Sequence, residues 1–269
     1  MIPKIIHYCW FGHNPLPPLA LKCIASWKKY LPDYEIKEWN EENFDVNIIP
    51  YTREAYAAGK YAFVTDYARF WILYKYGGIY FDTDVEMIRP IDDIIAAGGF
   101  MGYETDPQPS SVDVCLSGGN ETEVSSDLGL GVSPGLGLGV APGLGLGVAP
   151  GLGLVKKVLD YYEGAHFVNE SNMRNQITVV HITTHILLEN GLQLEPGIQR
   201  LDGVNIYPSE YFCPINLTTG RLHITSNTRT IHHYSGSWVH GKFSFKKWIK
   251  RVLPENIVLK IIQQKSKRK

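Results

Sequence analysis

Apolar and aromatic side chains return at the three- and four-residue spacing of an α-helix between Tyr61 and Tyr76, at Phe63, Tyr67, Phe70, Trp71 and Tyr74. The paired Gly77 and Gly78 stop that helix. Ile79, Tyr80 and Phe81 follow as a short apolar strand running into Asp82-Thr83-Asp84. Upstream, Ile2 to Phe11 reads as a first strand, and Gly12 to Pro18 as the loop after it. Leu19 to Tyr30 has helical spacing at Leu19, Cys23, Ile24 and Trp27, while Tyr34 to Trp39 alternates as a second strand, a βαβ beginning. A further helix is expected near Thr52 to Ala58. Downstream, Met87 to Ile91 continues outward, Asp92 to Ala97 is a short helix, and Phe100 to Glu104 is a strand. Val155 to Tyr162 and Val179 to Gly191 read as helices, and Gly203 to Pro214 as a strand and loop.

One stretch breaks this regularity. Three octads, Asp127 to Pro134, Gly135 to Pro142 and Gly143 to Pro150, repeat Gly-Leu-Gly-Leu-Gly-Val-Ala/Ser-Pro with Asp127 in place of the first Gly, and Gly151 to Leu154 starts a fourth. So close a repeat is low-complexity sequence, too short for a solenoid. Its many glycines beside Leu and Val predict a mobile, sticky loop inserted at 127–154.

With 269 residues, 44% of them hydrophobic, the chain can bury a sizeable core in one domain with a small appendage. Cys9, Cys23, Cys115 and Cys213 show no close pairing of the zinc or redox kind, which fits a reduced, cytoplasmic setting. The N-terminal stretch reads as a buried strand rather than a signal peptide, and no apolar run long enough to span a bilayer is expected. Net charge is −1, unevenly placed: 242–269 holds ten Lys or Arg and one acid, so the rest carries 16 basic residues against 26 acidic ones. Lys242 to Lys250 is expected to form a basic amphipathic helix with Phe243, Phe245 and Trp248 to bury, suited to docking on an anionic membrane surface. No nucleic-acid partner is expected.

Candidate chemistry concentrates in two places. In an extended chain Asp82 and Asp84 point to the same side, presenting two carboxylates to one hard divalent cation that keeps positions open for substrate phosphates. Asp-x-Asp alone is a weak signal; a calcium loop is not expected, because the glycine does not follow at the required offset. Asp66 and Arg69 share a helix face, an arrangement that by itself is a surface ion pair. The second place is Thr230 to Trp238, where the neighbouring His232 and His233 point oppositely in a strand, so at most one readily faces the site.

Taken together, Thr65-Asp66-Tyr67-Ala68-Arg69 and Leu73 to Val85 resemble glycosyltransferase family 32, bacterial and fungal sugar transferases with an Asp-x-Asp motif, and more distantly the glucosylating domains of the large clostridial toxins. The resemblance implies an α/β chain of GT-A type, a mixed sheet flanked by helices, over 1–241, followed by the 242–269 tail. It implies retaining transfer from a nucleotide-diphosphate sugar, UDP-sugars ahead of GDP-mannose, to a glycan or lipid-linked acceptor in surface or capsular polysaccharide synthesis. Asp66, Arg69, Asp82 and Asp84 would be the catalytic group. Mn2+ or Mg2+ would be held by Asp84 and Asp82 with His233, preferred over His232, or a serine of Ser235 and Ser237. Trp10, Tyr80, Asp66, Arg69, Asp82, Ser237 and Trp238 would bind the donor, Trp10 stacking on its base and Trp238 covering its phosphates. The resemblance also carries a single glycine-rich loop ahead of the Val155 helix, so two octads look surplus and their deletion is expected to leave activity. A metal-dependent nucleotide-sugar hydrolase and a non-catalytic sugar-nucleotide-binding protein stay open as alternatives. A cytoplasmic location is expected, with peripheral contact at the inner face of the membrane through the tail.

Overall fold

The first strand, β1 (Ile5–Cys9), buries Ile6, His7, Tyr8 and Cys9, and it pairs in parallel with β2 (Glu35–Trp39) on one side and β3 (Gly78–Tyr80) on the other. Between β1 and β2 runs α1 (Pro18–Tyr30), which opens on a proline whose missing N–H would have gone unpaired there. Its Cys23, Ile24 and Trp27 are buried. After α2 (Pro50–Ala57) comes the long α3 (Tyr61–Tyr76), ended by Gly77 at φ 62°. Gly78 then passes so close to β1 that a Cβ would lie 2.6 Å from the Ile5 carbonyl oxygen, which only glycine allows. His7 ties this corner together: its Nε2–H donates to the Gly77 carbonyl at 2.9 Å, and its Nδ1 accepts from the Trp39 indole at 3.1 Å. Burial, with the charge of Lys37 adding to it, lowers the His7 pKa from 6.5 to about 4, so the ring is neutral in the folded chain.

The computed structural model describes residues 1–107, 139–168, 178–216 and 219–235. Over these, the remaining elements are β4 (Val85–Met87), α4 (Asp92–Ala96), β5 (Gly99–Thr105), β6 (Gly139–Val140), β7 (Leu146–Val148), α5 (Gly153–Glu163), α6 (Val179–Glu189), β8 (Gln199–Leu201), β9 (Val204–Tyr207), α7 (Ser209–Phe212) and β10 (Thr230–His232). Their main sheet has the order β2-β1-β3-β7-β5-β9-β8, with β6 also on β5. Parallel pairs β2-β1-β3 and β5-β9 are joined by β7, antiparallel to both of its neighbours. A separate antiparallel pair joins β10 to β4. Helices α2, α3, α5 and α6 pack into one core and α1, α4 and α7 into another, giving a mixed sheet flanked by helices in a single domain.

Two parts differ from expectation. Asp82-Thr83-Asp84 is not extended: the chain leaves β3 in a turn closed by the Val85 N–H donating to the Asp82 carbonyl at 3.1 Å. Nor is the end of the octad repeat a loop off the sheet, since every residue from 139 to 148 is buried. The physical reason lies in the alternation itself. Leu144, Leu146 and Val148 fill the core, while the flat faces of the glycines between them receive aromatic rings; a Cβ on Gly147 would stand 2.1 Å from the Phe100 ring. The third octad and the second half of the second are therefore structural. The first octad, residues 135–138, Ser237, Trp238 and the 242–269 tail lie outside the described residues. No helix among the described residues is long and apolar enough to cross a membrane.

Candidate functional site

Parallel pairing of β1 with β3 sends Trp10 and Asp82 off the same end of adjacent strands, the end at which open α/β sheets bind ligands. The Trp10 ring is partly exposed and its indole N–H donates to the Asn14 carbonyl at 2.6 Å.

At that end, α3 presents Asp66 and Arg69 one turn apart, with Arg69 buried. Its guanidinium serves two acids through one nitrogen: Nη2 lies 3.0 Å from Asp66 Oδ1 and 3.3 Å from Asp82 Oδ1. Nε donates to the Thr65 carbonyl at 3.2 Å, and the guanidinium carbon stands 5.0 Å over the Tyr80 ring. The Tyr80 hydroxyl donates to Asp82 Oδ1 at 3.0 Å. Burial pushes the Asp66 carboxyl up, with the Arg69 charge pulling the other way, while Arg69 is held charged by Asp82 and Asp66 despite its own burial. Four of the expected residues, Asp66, Arg69, Tyr80 and Asp82, thus form one group joined by ion pairs and hydrogen bonds. Gly143, from the repeat, closes it: its carbonyl accepts the Asp82 N–H at 3.0 Å, and a Cβ in its place would sit 1.9 Å from Asp82 Oδ2.

Asp84 has different company. The pairing of β10 with β4 puts His232 opposite Val85, and His232 Nε2 lies 3.0 Å from Asp84 Oδ1. Ser235 donates both its backbone N–H, at 2.8 Å, and its hydroxyl, at 2.9 Å, to Oδ2. Burial alone would raise the Asp84 pKa, but these hydrogen bonds and the histidine charge hold it well below the usual carboxylate range. Conversely, burial alone would lower the His232 pKa, and Asp84 lifts it above its ordinary value. His233 points the other way, as strand alternation requires: its Nε2 is 2.8 Å from Glu86, which also pairs with Lys22 at 2.9 Å. Of the two histidines the structure brings His232, not the expected His233, to the Asp-x-Asp turn.

Sequence reasoning missed the place of Gly143, because a contact 61 residues downstream in a repeat leaves no local signal. It could see that the histidines diverge, but not which one faces Asp84, since that depends on the β10 register.

Among the described residues no three His, Cys, Asp or Glu side chains converge as a ready-made metal shell. The donor set nonetheless fits a hard cation of the Mg2+ or Mn2+ kind, which needs only one or two carboxylates and takes its other ligands from water and substrate phosphates. Asp84 is held ionised beside the Ser235 hydroxyl, and Nδ1 of His232 is buried with no partner among the described residues.

Residues 17–100 match the family described as "Glycosyltransferase sugar-binding region containing DXD motif". Inositol phosphoceramide mannosyltransferase 3 of Schizosaccharomyces pombe is 37% identical over 98 residues, 35% of this chain and 27% of its own length. Mannosyl phosphorylinositol ceramide synthase CSH1 of Saccharomyces cerevisiae is 31% identical over 118 residues, 42% of this chain and 31% of its own. The aligned region thus spans about a third or less of these two curated relatives. Among solved structures, the PaToxG glycosyltransferase superposes with a TM-score of 0.45 at 16% identity, covering 70% of this chain and 69% of that one.

Proposed function

We propose, from the match of residues 17–100 to the glycosyltransferase sugar-binding region containing a DXD motif, that the chain is a metal-dependent, retaining transferase. It moves a sugar from a nucleotide-diphosphate donor, UDP-sugars first, to a glycan or lipid-linked acceptor of surface or capsular polysaccharide. The observation that carries this is the pairing of two differently prepared carboxylates on one turn: Asp82 locked to Arg69 and Tyr80, and Asp84 to His232 and Ser235.

Each group has a physical part. Arg69, planar and permanently charged, orients Asp82 and offers its remaining N–H groups to donor oxygens. Asp66 and Asp82 accept hydrogen bonds from sugar hydroxyls. Trp10, off the neighbouring strand, offers a face to the base. A divalent cation held by Asp84, with Asp82 beside it, would supply Lewis-acid neutralisation of the charge that grows on the departing β-phosphate oxygen. Ser235 and His232 keep the Asp84 carboxylate ionised and aimed. In this reading Ser237 and Trp238, outside the described residues, would also bind the donor, Trp238 over its phosphates.

The names of the two yeast relatives add mannose as a sugar to test and support a lipid-linked acceptor. The basic 242–269 tail supports a cytoplasmic place at the inner membrane face, where such acceptors are presented.

The deciding experiment is a panel of UDP- and GDP-sugars with Mn2+, following nucleotide release and sugar products by mass spectrometry, with the Asp82→Ala/Asp84→Ala double variant as the blank. Nucleotide release that the blank lacks, with sugar appearing on an added acceptor, supports the transferase. Free sugar alone, whatever the acceptor, makes the protein a hydrolase; binding without release of nucleotide makes it a carrier.

A further inference from the structure

Three residues other than glycine adopt left-handed backbone among those described: His13, Asp202 and Tyr234, the last at φ 49°. Asp and His tolerate that conformation comparatively well; a bulky aromatic does not, and needs its surroundings to hold it. Tyr234 stands between two residues that both bond to Asp84. His232 reaches Oδ1 at 3.0 Å, and Ser235 reaches Oδ2 with its N–H at 2.8 Å and its hydroxyl at 2.9 Å. The left-handed turn is what brings the chain back so that both flanking residues meet one carboxylate.

The side chain of Tyr234 shows what holds the turn. Its hydroxyl lies 3.0 Å from Cys213 Sγ, just past α7. Its ring meets His232 edge to face with centroids 4.1 Å apart. The end of α7, a helix packed on β5 of the main sheet, belongs to the main body of the fold, so the hydroxyl pins the short β10 extension to rigid structure.

We infer that Tyr234 is a positioning residue for Asp84: anchored by Cys213, it holds the left-handed turn that aims the N–H and hydroxyl of Ser235 at that carboxylate. The inference rests on the reading of Asp84 as the cation-holding carboxylate of the donor site. Groups that orient a ligating carboxylate are worth about 10- to 100-fold in metal affinity.

The test is Mn2+ binding to the full chain, followed by the electron paramagnetic resonance signal of free Mn2+ with and without UDP. Tyr234→Phe keeps the ring and removes only the anchoring hydroxyl; it is expected to bind Mn2+ about 10-fold more weakly. The Mn2+ concentration for half-maximal donor turnover should rise in step, while turnover at saturating Mn2+ stays near that of the parent. Asp202→Gly, which relieves the same backbone conformation on the β8–β9 turn, should leave Mn2+ binding unchanged. Should Tyr234→Phe fail to fold, Cys213→Ala is read in its place with the same expectation. Mn2+ binding by the variant as tight as the parent's overturns the inference alone. A parent chain that binds no Mn2+ and turns over no donor overturns the cation-site reading and the inference with it.

Discussion

The carboxylate of Asp82 lies against the backbone of Gly143, so close that a Cβ on the glycine would stand 1.9 Å from Oδ2 and 3.0 Å from Nη1 of Arg69. Gly143→Ala must therefore push Asp82 off its ion pair with Arg69 and its hydrogen bond from Tyr80. Misplacing a site group by about 1 Å costs on the order of 100-fold in rate. A drop of that size in donor turnover, with a melting temperature close to the parent's, is the expected result.

Octad deletions should separate by how many copies go. Gly135 to Pro142 and Gly143 to Pro150 are identical, so removing either gives the same chain. In that chain the first octad supplies Gly-Val-Ser-Pro where Gly139-Val-Ala-Pro142 stood, a change of Ala141 to Ser alone. One deletion should fold and turn over donor like the parent. Removing 127–142 would put Glu-Val-Ser-Ser into buried positions that pair with β5, and should lower the melting temperature and the soluble yield. The structure thus revises the expectation that two copies are surplus.

The two histidines give opposite outcomes. His232→Ala removes a hydrogen bond from Asp84 and should cost about 10- to 100-fold in Mn2+-dependent turnover. His233→Ala loosens only a pairing with Glu86, which retains Lys22, and should stay within about 0.5 kcal/mol of the parent in stability, with little change in rate. Steady-state rates of the two variants side by side check this.

Acid should weaken the fold through His7. Unfolded, its imidazole takes up a proton below its ordinary pKa of 6.5; folded, it does so only near 4. The unfolded state therefore binds more protons in that window, and stability falls as pH drops from about 6.5 to 4, by about 3 kcal/mol at most from this group. His7→Gln offers Gly77 a neutral donor. It should flatten the acid limb of a denaturant midpoint plotted against pH, at some cost in stability above pH 7.

Chelation makes the last prediction. Stripping divalent ions should abolish donor turnover and Mn2+ should restore it, whereas Asp84→Ala should lose on the order of 100- to 1,000-fold and regain nothing with added Mn2+. Full turnover by that variant would remove Asp84 from the site.

Much of the fold lay open to reading because its elements obey local rules. Phe63, Tyr67, Phe70 and Trp71 keep helical spacing, Gly77 and Gly78 break it, and Pro18 opens α1, so α1, α2, α3 and β2 lie within two residues of their expected ends. Asp66 and Arg69 were legible as neighbours since one helical turn separates them. What escaped depends on partners far along the chain. The Gly-Leu alternation looks like disorder until Phe81 and Phe100 are laid against its glycines, and the direction of His232 is fixed only when β10 meets β4. The turn at Asp82-Thr83-Asp84 escaped as well, because the three residues themselves are compatible with an extended chain.

The position of β7 also bears on how the chain is made. The β3 edge of the sheet gains its partner only when Gly147 reaches Ile79, 68 residues later. During synthesis the nascent β2-β1-β3 half therefore waits with an unpaired hydrophobic edge, the kind that other chains can capture. Until the ribosome has released the last octad, that edge has no strand of its own chain to cover it.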